Sequence, residues 1–157
     1  MTFDLARIAA LIAVLGIAVI YGTDVFCAIV LRPALASVDD DALVAVTGNV
    51  HRYGDRRLPV PWVLGFFAAA VSGVLAGVTA HWAQAIAAGA AVLLLSIWLV
   101  LYRQVSAPIN RQLTAAADAR QPLPNGRVLQ AKWNRIINAR ALLQGLALAA
   151  ICVALTS

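Results

Sequence analysis

Trp62–Thr79 (WVLGFFAAAVSGVLAGVT) and Ala83–Leu101 (AQAIAAGAAVLLLSIWLVL) stand only three residues apart, with Ala80, His81 and Trp82 between them. A bilayer's hydrocarbon core takes about 20 apolar residues of α-helix to cross, at 1.5 Å rise per residue. Each run therefore predicts a membrane span, and the three-residue connection predicts a tight antiparallel hairpin. Within the first run Gly65, Ala69, Gly73 and Gly77 recur every four residues. Such rows let helix backbones approach where lipid supplies no hydrophobic drive, so this row predicts the face joining the two helices.

Working outward, Ile8–Val30 and Ala139–Leu155 are long enough to cross as well, which gives an all-α, four-helix transmembrane bundle in one domain over residues 1–157. Composition agrees: 62% of positions are apolar and 12% charged, with mean hydropathy +0.85, whereas soluble domains carry about a quarter charged residues. Arg7 before the first run and Pro33-Ala34-Leu35-Ala36 after it resemble a signal peptide, but the run exceeds a signal core of about 7–15 residues and is expected to be retained. Cys27 and Cys152 both fall in spans and read as buried thiols.

The net charge of +5 would point to nucleic acid in a soluble chain; here its distribution speaks of topology instead, and no nucleic-acid partner is expected. Arg32, Arg52, Arg56, Arg57, Arg103, Arg111, Arg120, Arg127, Lys132, Arg135 and Arg140 lie on the two long connections or at their borders, against Arg7 alone on the other side. The positive-inside rule then puts both connections in the cytoplasm and both termini outside, in a cell inner membrane.

In the first connection, Ser37 followed by Asp40 reads as an N-cap, and Leu43, Val46, Val50 and Tyr53 recur at helical spacing, predicting an amphipathic helix at the cytoplasmic interface. Pro59 and Pro61 end it and open the second span. Beyond Leu101 the third helix extends into the cytoplasm, where Pro108 either kinks it or begins a helix capped by Ser106. Gln121-Pro122-Leu123-Pro124-Asn125-Gly126 is a loop, and from Arg127 one helix, cytoplasmic at first, runs on through the fourth span.

Asp24 is the most informative residue, about 12 Å inside the membrane if Arg32 marks the boundary. An intramembrane carboxylate is a functional candidate, and that reading is taken over a helix aspartate satisfied by Arg140. Tyr21 and Ala28 share its face. His51 and Asp55, four apart, would point the same way on a continuous helix, although Gly54 and the prolines weigh against continuity; otherwise His51 is interfacial beside a solvated aspartate. Asp24, His51 and Asp55 form a weak candidate set for iron or manganese. On the fourth helix Asn134, Asn138, Ala141, Gly145 and Ala149 form one sector expected in the bundle interior, beside Trp133, Arg140 and Gln144. Arg140 needs an anionic partner at its depth, Asp24 or a ligand. Trp62, Trp98, Trp133 and Tyr102 read as an aromatic belt at one boundary, Trp82 and His81 at the other.

Tyr102-Arg103-Gln104-Val105-Ser106-Ala107-Pro108-Ile109-Asn110-Arg111-Gln112-Leu113, with Lys132-Trp133-Asn134-Arg135-Ile136-Ile137-Asn138-Ala139-Arg140, resembles the anthrone-oxygenase-like family of small four-span membrane proteins. P-x-N-x-x-L and W-N-R-x-x-x-x-R carry the likeness, and Tyr21-Gly22-Thr23-Asp24-Val25-Phe26 with Arg32-Pro33-Ala34-Leu35 looks like the family's first helix. Members often place a histidine shortly before the last arginine, where this chain has Asn138 nearby. The resemblance implies an oxygenase-like enzyme for a flat phenol or quinone drawn from the membrane. Asp24 or His51 would be the base, Arg140 or Asn110 would steady the oxyanion, and Tyr21, Trp133, Asn134 and Asn138 would add substrate contacts. No cofactor is required, because an enolate can react with oxygen directly. The competing class is a non-enzymatic lipid- or quinone-binding accessory protein; transport is a third, needing a homo-oligomer.

Overall fold

The computed structural model describes residues 2–156, all of it helix, turn or short loop. Helix α1 (Thr2–Phe26) continues through a π-helical turn (Cys27–Leu31) into α2 (Arg32–Ala36). The interfacial helix α3 (Asp40–Arg57) and the second span α4 (Pro59–Val78) follow. Helix α5 (Trp82–Leu101) passes through a second π-helical turn (Tyr102–Ser106) into α6 (Ala107–Ala119), and α7 (Gly126–Thr156) closes the chain. Four continuous helices, Asp4–Ala36, Pro59–Val78, Trp82–Ala119 and Gly126–Thr156, are long and apolar enough to cross a membrane. Their outward faces carry Leu15, Phe67, Val74, Ile86, Leu93 and Leu142, all more than half exposed or nearly so, a surface suited to lipid rather than water.

Both π-helical turns precede a proline, and that position explains them. Proline lacks an N–H and its ring clashes with the carbonyl four residues earlier. Ile29 stands four before Pro33 and Gln104 four before Pro108, each inside the widened turn, so the rod continues without a break. The helix thus runs on through Pro108, and no new helix is capped by Ser106, whose side chain makes no cap hydrogen bond. Ser37 is likewise not the cap of α3: its hydroxyl donates back to the Ala34 carbonyl at 2.8 Å. Asp39, with extended backbone, takes the role by accepting from the Ala42 N–H at 2.7 Å. Gly54 does not interrupt α3, so His51 and Asp55 share a face.

The spans form a ring in the order α1, α4, α5, α7. The small-residue row of α4 divides between two neighbours. Gly65 meets Gly16 and Ile17 of α1, whereas Gly73 and Gly77 face Ala85 and Ala88 of α5. The α1–α4 crossing is the tightest: a Cβ on Gly16 would lie 2.6 Å from the Pro61 carbonyl oxygen and 2.8 Å from the Gly65 Cα. On α7 the interior stripe is Trp133, Ile137, Arg140, Gln144, Ala147 and Ile151, while Asn138 and Ala149 are exposed. This is the neighbouring sector to the one the sequence suggested, because the polar contacts of Arg140 and Gln144 fix the helix rotation. Cys27 is buried as expected; Cys152 is exposed.

Two apolar cores result. One, in the body of the bundle, contains Ala13, Ile17, Ala69, Ala91, Leu95, Ala147 and Ile151. The other, at the arginine-rich end, joins Leu35, Leu43, Val44, Ile109, Leu113, Trp133 and Ile137. Asp24, His51, Ser106, Asn110, Arg140 and Gln144, all buried, fall between or beside these cores, which is where the candidate site lies; Ser72 and Gln84 are buried further along α4 and α5.

Candidate functional site

Asp24 is 2% exposed and both its oxygens are engaged. Arg140 Nη2 donates to Oδ1 at 2.7 Å, and Gln144 Nε2 and Trp98 Nε1 donate to Oδ2 at 2.8 and 3.1 Å. Arg140 is also buried; its Nη1 donates to Ser106 Oγ at 2.8 Å. Its guanidinium sits over the rings of Trp98 and Trp133, each at 5.3 Å, and of Tyr102 at 5.7 Å. One cation thus joins α1, the α5–α6 turn and α7. Two buried charges in an apolar bundle are tolerable only when paired and hydrogen-bonded, and this pair is both.

The tryptophans expected in a belt face inward instead. Trp62 stacks on Trp98 with centroids 5.9 Å apart, and Trp98 on Tyr102 at 5.4 Å and 8° between planes. Attraction to the buried guanidinium holds Trp98, Tyr102 and Trp133 inward, the Trp98 indole adds its hydrogen bond to Asp24, and Trp62 follows by stacking on Trp98. Trp82, at the other end, is exposed.

A cavity of about 320 Å³ opens beside this array. Asp24, His51, Asp55, Trp62, Trp98, Tyr102, Asn110, Trp133 and Arg140 all contribute to its wall. Val50, Pro59, Val63 and Arg103 line it and are also exposed, so its mouth is largely apolar with one arginine at its edge, where α3 and α4 meet the turn after α5.

His51 is buried, with its ring centroid 5.6 Å from that of Trp133 and its Nε2 without a hydrogen-bond partner. Burial lowers its pKa to about 4, with Asp55 opposing the shift and Arg140 adding to it, so the imidazole is neutral at pH 7. The alternative of an interfacial histidine beside a solvated aspartate does not hold, since His51 is buried and Asp55 half-buried. Asp55 accepts from Tyr102 Oη at 2.8 Å and from Asn110 Nδ2 at 3.0 and 3.2 Å. Continuity of α3 through Gly54 brings His51 and Asp55 to the same cavity.

Among the described residues no group of three His, Cys, Asp or Glu side chains could hold a metal ion. Asp24, His51 and Asp55 line one cavity, but Asp24 is committed to Arg140 and Asp55 to Tyr102 and Asn110, so the three do not form a ligand set.

Of the other sequence candidates, Asn110 and Trp133 line the cavity and Tyr21, Asn134 and Asn138 do not. Tyr21 packs over Gly145, Asn134 accepts from Gln130 at 3.0 Å, and Asn138 is exposed. Sequence reasoning missed Trp98, Tyr102, Ser106 and Gln144 as members of the site. Gln144 carried a signal, standing one helical turn beyond Arg140 on the same face. Ser106 carried none, since its orientation depends on the π-helical turn before Pro108.

The fold and the site together define a four-helix, multi-pass membrane architecture with a buried, charged and aromatic cavity near one end. No family model, curated protein or solved structure matches the chain.

Proposed function

We propose that this is an inner-membrane protein, with both termini outside, that takes a flat apolar phenol, anthrone or quinone from the bilayer and deprotonates it for oxidation. The observation that carries the reading is the cavity: four aromatic rings wall it, its mouth is largely apolar with Arg103 at the edge, and an uncharged histidine with an unpaired nitrogen lines it. The resemblance to anthrone oxygenases points the same way.

The geometry favours His51 over Asp24 as base. Asp24 already accepts from three donors and neutralises a cation, so taking a proton would break that pair. His51 Nε2 has no partner and is free to take a proton; burial makes it a weak base, a cost that the enolate forming beside it would offset. The methylene across the ring from the carbonyl, acidified through the aromatic system between them, would give a proton to His51; the resulting carbanion would add dioxygen, forming a C–O bond, and take up a proton as hydroperoxide. Loss of water then leaves a second carbonyl, so one CH₂ and one O₂ become one C=O and one H₂O. Arg140 would steady the enolate oxygen electrostatically, with Asn110 beside it.

The test uses purified protein in nanodiscs with an anthrone under air, following oxygen uptake, quinone absorbance and quenching of tryptophan fluorescence. Turnover is expected, with His51→Phe slowing it roughly 10²-fold or more, the usual worth of a general base, while quenching persists. Quenching without turnover in the wild-type protein would replace the enzyme with a binding accessory. Absence of both would reject the cavity as a site for this class of molecule.

A further inference from the structure

Asp55 lines a second concavity as well as the first. On the far side of this carboxylate a groove of about 410 Å³ runs between α3 and α6, lined by Arg52, Asp55, Arg56, Arg111, Thr114 and Asp118. Three arginines face two aspartates, an excess of one positive charge. Asp118 is taken by an ion pair with Arg52, and Asp55 is held by the neutral donors Tyr102 and Asn110. Arg56 and Arg111 form no ion pair among the described residues, and Arg52 Nε is buried without a partner. Guanidinium N–H groups left over in this way, from two helices around one groove, match the oxygens of a phosphate monoanion better than those of a carboxylate, which could satisfy fewer of them.

The position of the groove says where such a phosphate comes from. At 3.6 residues per turn, Arg52 and Arg56 lie about 100° round α3 from the stripe Val46, Val50 and Tyr53. Those three apolar side chains are each about 40–50% exposed and do not join the bundle. A helix with one apolar face packed inward, a second exposed and an arginine face beside it lies at the boundary between acyl chains and headgroups. The groove is then at headgroup height, next to the ends of α4 and α5.

We propose that the α3–α6 groove is a binding site for a singly charged phosphate diester, the headgroup of an anionic phospholipid, held chiefly by Arg56 and Arg111. The proposal does not rest on what occupies the cavity, although the two share Asp55 as a wall.

Detergent-purified protein is titrated with dioleoylphosphatidylglycerol, dioleoylphosphatidylcholine and glycerol 3-phosphate, and binding is read by native mass spectrometry and thermal shift. Arg56→Gln/Arg111→Gln is compared with Arg120→Gln/Arg135→Gln, which removes the same charge from exposed positions outside the groove. The phosphatidylglycerol is expected to bind more tightly than the phosphatidylcholine. At a factor of about five for each arginine that meets the phosphate, the groove variant should weaken binding about 25-fold, and the control, which removes no such contact, should not. Glycerol 3-phosphate binding with the same sensitivity would support the site and make a soluble phosphate ester its ligand. Equal weakening by both variants, or none by the groove variant, would overturn the proposal in favour of a diffuse basic surface. Neither groove arginine holds an ion pair, so the double variant should melt with the wild type; if it does not, Arg111→Gln alone should still lose about fivefold.

Discussion

Replacing Asp24 by asparagine removes one negative charge and changes no volume, so its cost isolates the electrostatics of the buried pair. In the wild type the carboxylate accepts three hydrogen bonds, from Arg140, Gln144 and Trp98. An asparagine offers one carbonyl oxygen, and its amide would point an N–H at a donor of Arg140 or Gln144. Arg140 would keep Ser106 Oγ and three ring faces, but lose its counter-ion while remaining buried. Breaking such a pair from one side costs roughly 3–5 kcal/mol. In a chain of this size 1 kcal/mol moves the melting temperature by about 2–4 °C, so a fall on the order of 10 °C is expected in detergent. Arg140→Met, which retains the length and apolar stem, should cost a similar amount by stranding Asp24. Asp24→Asn/Arg140→Met should recover much of the loss, because no unpaired charge is left behind. The assay is thermal unfolding of the four proteins, followed by tryptophan fluorescence and size-exclusion homogeneity. A coupling above about 2 kcal/mol is expected. Single effects that add to within about 0.5 kcal/mol would refute the pair as the link between α1 and α7.

His51 should make stability depend on pH. Its pKa is about 4 in the fold against 6.5 unperturbed, so between these values the unfolded chain takes up a proton that the fold does not. Its contribution is complete above 6.5 and lost as pH falls through 4, about 3 kcal/mol in all; the difference between wild type and His51→Phe across pH 4–7 should show that slope. Gly16→Ala places a Cβ against backbone of Pro61 and Gly65 that cannot move aside, and should destabilise by about 1–3 kcal/mol. Gly89→Ala meets nothing within 4 Å and should be neutral or slightly stabilising, as thermal melts of the two variants will tell. For the proposed orientation, reporter fusions after Gln121 should be active only in the cytoplasm and those at the C-terminus only outside; the reverse would refute it.

The sequence by itself determined the four spans, the interfacial helix, the loop at 121–126 and the long last helix, because each depends on short-range properties: length, apolarity, proline and glycine. It also picked out Asp24 and Arg140, since charge in or at the edge of an apolar run is conspicuous without any fold, and His51 with Asp55 by their spacing of four. What it left open was rotation. A helix in lipid can turn by one sector at little cost in apolar burial, so the small-residue sector with Asn138 was expected inside, whereas the Asp24–Arg140–Gln144 contacts turn the neighbouring sector inward. The same limit turned a row of tryptophans into a belt on paper, when stacking and the buried guanidinium turn them inward. The two π-helical turns escaped it too, because a proline's clash with the carbonyl four residues back can be resolved by kinking, ending or widening the helix. Only the tertiary structure decided among these, since the widened turn before Pro108 is the one that accompanies Ser106 reaching Arg140 and Tyr102 reaching Asp55.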